Sequence, residues 1–205
     1  DDETHNINPR WSPDGSKILY DATMKTDVIR ALYPTLMMID LDGNSEAVLG
    51  DWGETTNANF TPDGTKIVFV GQPDEGQPIG SKSDLYVYDI ASGAVDNRSA
   101  ELEVGVGGRL SADMPAMGLS TWNLLVNSDS DYAYAPVQAG GNVHIYQFTL
   151  SGEAAFKSLT EGDGAAALLD ITEGGVLFSQ TIPNEPPEVW FANGDGVSQL
   201  THIND

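Results

Sequence analysis

Asn8-Pro9-Arg10-Trp11-Ser12-Pro13-Asp14-Gly15-Ser16-Lys17-Ile18-Leu19-Tyr20 returns further along the chain as Ala58-Asn59-Phe60-Thr61-Pro62-Asp63-Gly64-Thr65-Lys66-Ile67-Val68-Phe69. Each copy reads as strand, turn, strand. Pro-Asp-Gly supplies the turn, because proline presets φ and glycine accepts the positive φ that other residues resist. Lys-Ile-Leu-Tyr and Lys-Ile-Val-Phe are short apolar, β-favouring runs suited to strands covered on both faces.

The second half of each copy repeats as well. Leu36-Met37-Met38-Ile39-Asp40-Leu41-Asp42-Gly43 corresponds to Leu85-Tyr86-Val87-Tyr88-Asp89-Ile90-Ala91-Ser92-Gly93. Val143–Gly152 has the same layout, and Glu188–Gly196 is a shorter version. Brief outer strands are expected after them, at Glu46–Leu49, Val95–Ser99, Phe156–Leu159 and Val197–Leu200. In the later copies the turn changes. Ser128-Asp129-Ser130-Asp131 stands before Tyr132-Ala133-Tyr134, and Thr172-Glu173-Gly174-Gly175 before Val176-Leu177-Phe178.

From Pro13 to Pro62 the shift is 49 residues, within the ~40–50 that one four-stranded propeller blade occupies. No amphipathic helical period competes with the pattern. The expected class is therefore all-β, a β-propeller of four four-stranded blades at about 5–57, 58–119, 120–164 and 165–205. An arc of four blades leaves its first and last faces uncovered. A closed four-blade ring, a pairing of two arcs or a larger propeller would each cover them, and the larger propeller, of about seven blades, is the expectation.

The 205 residues carry 31 acidic and 9 basic side chains, a formal charge of −22. Such a field repels phosphate backbones and anionic lipid surfaces, so neither nucleic acid nor membrane insertion is expected. No apolar stretch approaches the ~18 residues of a membrane span. Spread along the whole chain, the acids suit either a salt-adapted protein or an ordinary acidic exported one. Asp1-Asp2-Glu3-Thr4 has neither a basic start nor an apolar run, so no signal peptide is read there. With no cysteine, disulfides and thiolate sites are excluded and the compartment stays open, cytoplasmic or periplasmic.

The Trp/Phe-Ser/Thr-Pro-Asp-Gly-Ser/Thr-Lys-Ile block resembles the repeats of periplasmic TolB-type propellers and of the N-terminal propeller of the prolyl oligopeptidase family. Ser83–Ile90 is similar to both. Gly108-Arg109-Leu110-Ser111-Ala112-Asp113-Met114 resembles an inter-blade segment of the acylaminoacyl peptidase branch, and Ser198–Asp205 its last propeller strand. The resemblance implies the non-catalytic propeller of a serine peptidase, capping an α/β-hydrolase domain and gating short peptide substrates. The alternative it implies is a free-standing TolB-like module for protein–protein interaction. A homo-oligomer fits either.

Catalytic machinery is not expected in the chain itself, since no Gly-x-Ser-x-Gly elbow occurs. His5, His144 and His202 are well separated and, without cysteine, give no zinc signature. Asn127–Asp131 alternates oxygen-bearing residues like a calcium loop but lacks its glycine and closing glutamate, and reads better as a hairpin turn. Neither metal nor cofactor is expected. Trp11 aligns with Phe60 and Trp190 with Met38 or Tyr88, which reads both tryptophans as core. The candidate substrate-binding residues are Arg109, Asp113 and Arg30. An arginine fork suits a peptide carboxylate, and the competing role for Arg109 is an ion pair with Asp113.

Overall fold

Residues 4–24, 34–50, 52–74, 81–107, 123–182 and 185–203 are described in a computed structural model of the chain. Among them every regular element is a strand. Contacts divide the chain into two compact units, residues 1–97 and 98–205.

The first unit holds two antiparallel four-stranded meanders. One is β1 (Thr4–Trp11), β2 (Lys17–Met24), β3 (Thr35–Asp40) and β4 (Ser45–Ala47); the other is β5 (Glu54–Phe60), β6 (Lys66–Gln72), β7 (Asp84–Asp89) and β8 (Val95–Asn97). The second unit repeats the scheme with β9 (Leu125–Val126), β10 (Tyr132–Ala139), β11 (Asn142–Thr149) and β12 (Phe156–Ser158). It ends with β13 (Ala165–Thr172), β14 (Gly175–Ile182), β15 (Glu185–Asn193) and β16 (Gly196–Gln199). A single parallel pairing, Val143 with Ala165, joins its two sheets.

The repeat is legible in the ladders. Trp11 pairs with Ile18 as Phe60 pairs with Ile67, and Tyr20 with Met37 as Phe69 with Tyr86. The position before the Pro-Asp-Gly turn closes each hairpin. The Ser12 hydroxyl donates to the Asp14 carboxylate (2.6 Å) and accepts from the Lys17 amide (2.9 Å). Thr61 does the same with Asp63 (2.6 Å) and Lys66 (3.1 Å). Gly15 and Gly64 both take a φ of 71° there, which is why glycine recurs. Where Pro-Asp-Gly is lost, Asn127 takes over, its side-chain oxygen accepting from the amides of Asp131 (3.0 Å) and Tyr132 (2.8 Å). The segment 127–131 is thus a hairpin turn.

Two features departed from expectation. The division between 57 and 58 falls inside β5, whose polar first half pairs Glu54 with Gln72 and Thr55 with Gly71. A bulge separates that half from the recognisable motif, with Asn57 at φ 54° and its counterpart Asn8 at φ 53°. Asparagine tolerates this left-handed region better than most residues. Trp11 is not core: it is 60% exposed and belongs to no core cluster among the described residues. Trp190 does pack against a core cluster, but its ladder partner is Phe178, the position that Tyr86 holds opposite Phe69.

In the first unit Leu19, Leu36, Met38 and Val48 of one sheet pack with Ala58, Ile67, Phe69 and Tyr86 of the next. In the second, Ile145 packs with Leu168, Val176, Phe178 and Ala192. Large side chains at 0% exposure, such as Phe69 and Phe178, each cost about 3–5 kcal/mol to truncate to alanine.

The turns predict acid behaviour. Asp14 is held down to about 2 from 3.8, first by the Ser12 hydroxyl and then by the amide and hydroxyl of Ser16. Asp40 is lowered by the Asn44 side chain and amide, and Asp89 by the Ser92 hydroxyl and amide. A folded pKa below the unfolded one gives stability that is complete above pH about 4 and fades as pH falls towards 2. Titration of Asp14 by carboxyl NMR is expected to show this depressed midpoint in the wild type. An Asp14 that titrates at its ordinary value would refute the turn's role.

Candidate functional site

Polar chemistry in the first unit gathers at one end of the second sheet, where β5 begins and β6 runs out. Gly53 donates its amide to the Pro73 carbonyl (3.2 Å). A side chain at Gly53 would stand 2.6 Å from the Gln72 carbonyl oxygen, so the backbone closes here only with glycine. Gln72 is buried, and its amide nitrogen donates to the Ser81 carbonyl (2.9 Å) and the Ser83 hydroxyl (3.1 Å). That tie fixes the base of the long β6–β7 connection. Beside it Trp52 meets Phe69 and Tyr86 edge-on, with centroids 5.6 and 5.1 Å apart, and those two rings stack. The Trp52 indole nitrogen is buried with no hydrogen-bond partner among the described residues.

Burial and neighbouring charge act on the ionisable groups around this end. Burial raises the Glu54 carboxyl above its ordinary value. The Tyr86 phenol is pushed up to about 12 by burial and by the carboxylates of Asp84 and Asp74. Asn97 donates to Asp84 (3.0 Å) and to the Tyr86 oxygen (3.4 Å), and Lys82 lies 2.8 Å from Asp84. The arrangement offers an aromatic wall, a half-buried acid and hydrogen-bonding groups. Among the described residues it sets no nucleophile beside a base.

In the first sheet Asp21 is buried and accepts from Asn8 (3.0 Å). Desolvation raises its pKa despite the opposing effects of Asn8 and of Arg10. His144 Nδ1 lies 3.5 Å from the Thr160 hydroxyl, which already accepts from the Ile145 amide at 3.0 Å. Among the described residues no three His, Cys, Asp or Glu side chains stand close enough to hold a metal.

Arg30, Arg109 and Asp113 lie outside the described residues. The arginine that matters to the described structure is Arg98, which sequence reasoning passed over. It is 2% exposed. Its Nε donates to the Thr149 carbonyl (2.8 Å), Nη1 to that of Gly152 (3.1 Å), and Nη2 to the Thr149 hydroxyl (2.9 Å) and the Ser151 and Glu153 carbonyls (3.1 Å each). One guanidinium fork thereby gathers the whole β11–β12 turn. Its only signal in the sequence was the scarcity of arginine.

Two surface depressions are small. One of about 230 Å³ is bordered by Lys17, Met38, Asp40 and Asn44, and one of about 190 Å³ by Tyr132, Gln147, Phe156 and Lys157. Both fall short of the ~300 Å³ at which small-molecule sites begin. Among the described residues no helix is long and apolar enough to cross a membrane.

No protein-family model matches the chain, and no curated protein does. Solved structures do. The uncomplexed acylaminoacyl peptidase of Pyrococcus horikoshii superposes over 95% of this chain and 27% of its own, at 20% identity and a TM-score of 0.67. The β-propeller domain of the Trilobed protease from Pyrococcus furiosus does so over 97% of this chain and 52% of its own, at 20% identity and 0.63. TolB from Acinetobacter baumannii covers 97% of this chain and 44% of its own, at 18% identity and 0.61. This chain has the β-propeller fold. It spans about a quarter to a half of the length of these relatives. The likeness bears out the resemblance read from the Pro-Asp-Gly repeats, to peptidase propellers and to TolB alike.

Two substitutions test this account of the propeller's polar groups. Arg98→Met should cost about 2–4 kcal/mol, because the turn carbonyls lose their donors together; a urea midpoint equivalent to less than about 1 kcal/mol would refute the clamp. Asp21→Asn should raise the melting temperature at pH 7 and lose that advantage in acid. The reason is that a buried acid with a raised pKa destabilises only once ionised, as pH climbs through the folded value. A variant no more stable at pH 7 than the wild type would remove desolvation as the dominant effect.

Proposed function

We propose that this chain is the non-catalytic propeller portion of a serine peptidase of the prolyl oligopeptidase type, capping an α/β-hydrolase domain and admitting short peptides to it. The observation that carries the reading is the superposition of 95% of the chain on an acylaminoacyl peptidase, joined to the lack of any Gly-x-Ser-x-Gly elbow in the sequence. A propeller of packed antiparallel sheets is stiff, which suits a filter that must reject folded or long chains. In this reading Arg109 takes a peptide carboxylate, Asp113 orients its guanidinium, and Arg30 is a second basic contact in an acidic protein. The partners are the hydrolase domain and the peptide.

The deciding experiment compares the hydrolase domain with and without the propeller on peptides of increasing length. With the propeller present, cleavage is expected to fall off sharply for long peptides; without it, long and short are cut alike. Equal length dependence in the two cases would refute gating, and hydrolysis by the purified 205-residue chain would refute a non-catalytic role.

The comparable match to TolB favours one second reading, a free-standing module for protein–protein interaction. Recovery of a specific protein partner by the chain, with no hydrolase domain in its gene product, would establish that reading instead.

A further inference from the structure

Asn193-Gly194 is the one Asn-Gly pair in the sequence. It stands at the tip that joins β15 to β16, where Asn193 pairs with Gly196 and Gly194-Asp195 make the turn. Both residues are exposed. A side chain at Gly194 would meet nothing within 4 Å, so no neighbouring group crowds this residue.

Elsewhere, glycines that follow aspartate have their amides engaged. Gly15 donates to the Ser12 carbonyl (2.9 Å), Gly43 to that of Asp40 (3.2 Å) and Gly64 to that of Thr61 (2.8 Å). Gly164 donates to the Asn142 side-chain oxygen (2.9 Å). Among the described residues no group accepts from the Gly194 amide. The two asparagines that precede serine are held by their side chains: Asn44 Nδ2 donates to Asp40 (2.8 Å), and the Asn127 oxygen accepts from two amides. The Asn193 side chain reaches forward instead, its Oδ1 accepting from the Asp195 amide (2.9 Å). One small hydrogen-bonded ring therefore contains both the Asn193 carboxamide carbon and the Gly194 nitrogen. The Asp195 N–H sits on the oxygen where negative charge gathers if that nitrogen attacks.

We propose that Asn193 is a site of self-modification, at which the Gly194 nitrogen attacks the Asn193 side-chain carbonyl carbon and expels Nδ2 as ammonia. The new C–N bond forms as the bond to Nδ2 breaks, and the proton of the Gly194 amide leaves with the ammonia. Water is the only co-reactant. It opens the cyclic imide at one of its two carbonyls. Opening at the side-chain carbonyl leaves aspartate; opening at the main-chain carbonyl leaves isoaspartate, whose backbone runs through the former side chain. Either product adds a negative charge beside Asp195. Isoaspartate also adds a backbone carbon to a tight turn, so the pairs Asn193 with Gly196 and Ala192 with Val197 lose their register and β16 loosens. The inference rests on the hairpin alone and is independent of the peptidase reading.

Peptide mapping by mass spectrometry tests it, on the folded chain held at neutral pH in heavy-oxygen water. Asn193 should convert from amide to acid with one heavy oxygen incorporated, part of it as isoaspartate. The rate should exceed that at Asn44 or Asn127 by at least about tenfold. Gly194→Val should slow the conversion at least about tenfold, because its side chain shields the attacking nitrogen. There is open space for that side chain, and Gly194→Ala gives a second reading if the valine variant fails to fold by circular dichroism. Amide exchange across β16 should quicken in the isoaspartate fraction but not in Asn193→Asp, which has the charge without the extra carbon. An Asn193 that stays intact, or converts no faster than Asn44 and Asn127, overturns the proposal. A folded Gly194 variant that reacts at the wild-type rate overturns attack by that nitrogen, and unchanged exchange in the isoaspartate fraction overturns the loosening of β16.

Discussion

A four-stranded blade has two apolar faces and cannot bury either by itself. Every other property of this molecule follows from that constraint. It explains why Ile67 and Phe69 of β6, both at 0% exposure, are apolar: they meet Leu19, Leu36 and Met38 of the first sheet. It also explains why sequence copies of the same strand differ in burial. Ile67 and Ile18 are the same residue at the same ladder position, yet among the described residues only Ile67 belongs to a core cluster.

Keeping strands short enough to stack requires turns that close reliably, and the chain solves this with one device in several chemical forms. A side-chain oxygen at the last inner-strand position accepts the amide that opens the next strand. Serine, threonine and asparagine all serve, at Ser12, Thr61 and Asn127. The proline and glycine of the motif shape the turn, but the oxygen is what survives when they are lost. Asparagine reaches two amides at once, so the third hairpin needs no Asp14 equivalent.

These local rules are why the fold was legible in the sequence: Pro-Asp-Gly turns and β-favouring runs act over a few residues, and their recurrence revealed the all-β repeat. What stayed hidden depends on distant partners. Trp11 and Phe60 are interchangeable in a local reading, and only a neighbouring sheet distinguishes core from surface. Arg98 binds carbonyls more than fifty residues away in sequence, so no spacing pattern announces it. The bulge at Asn57 lacks the glycine or proline that flags irregular backbone, although Pro9 stands inside the equivalent bulge at Asn8. Site chemistry was least accessible: Arg30, Arg109 and Asp113 stand outside the repeated motifs, where neither repeat nor periodicity dictates what a side chain meets.

Charge and stacking interact in a way that neither explains alone. At −22, self-repulsion works against any compact or associated state. Several acids spend that charge usefully at the hairpin tips, where Asp14, Asp40 and Asp89 accept hydrogen bonds that hold their carboxyls ionised. Glu54 and Asp21, by contrast, sit where burial favours the neutral acid. Ionised groups at solvated turns repel through a screened medium, with a reach of about 10 Å or less at ordinary ionic strength, whereas apolar burial between sheets is insensitive to that screening. Added salt therefore shifts the balance towards stacking without altering a single contact. The acidic surface and the apolar blade faces together make packing of this chain's sheets a function of ionic strength.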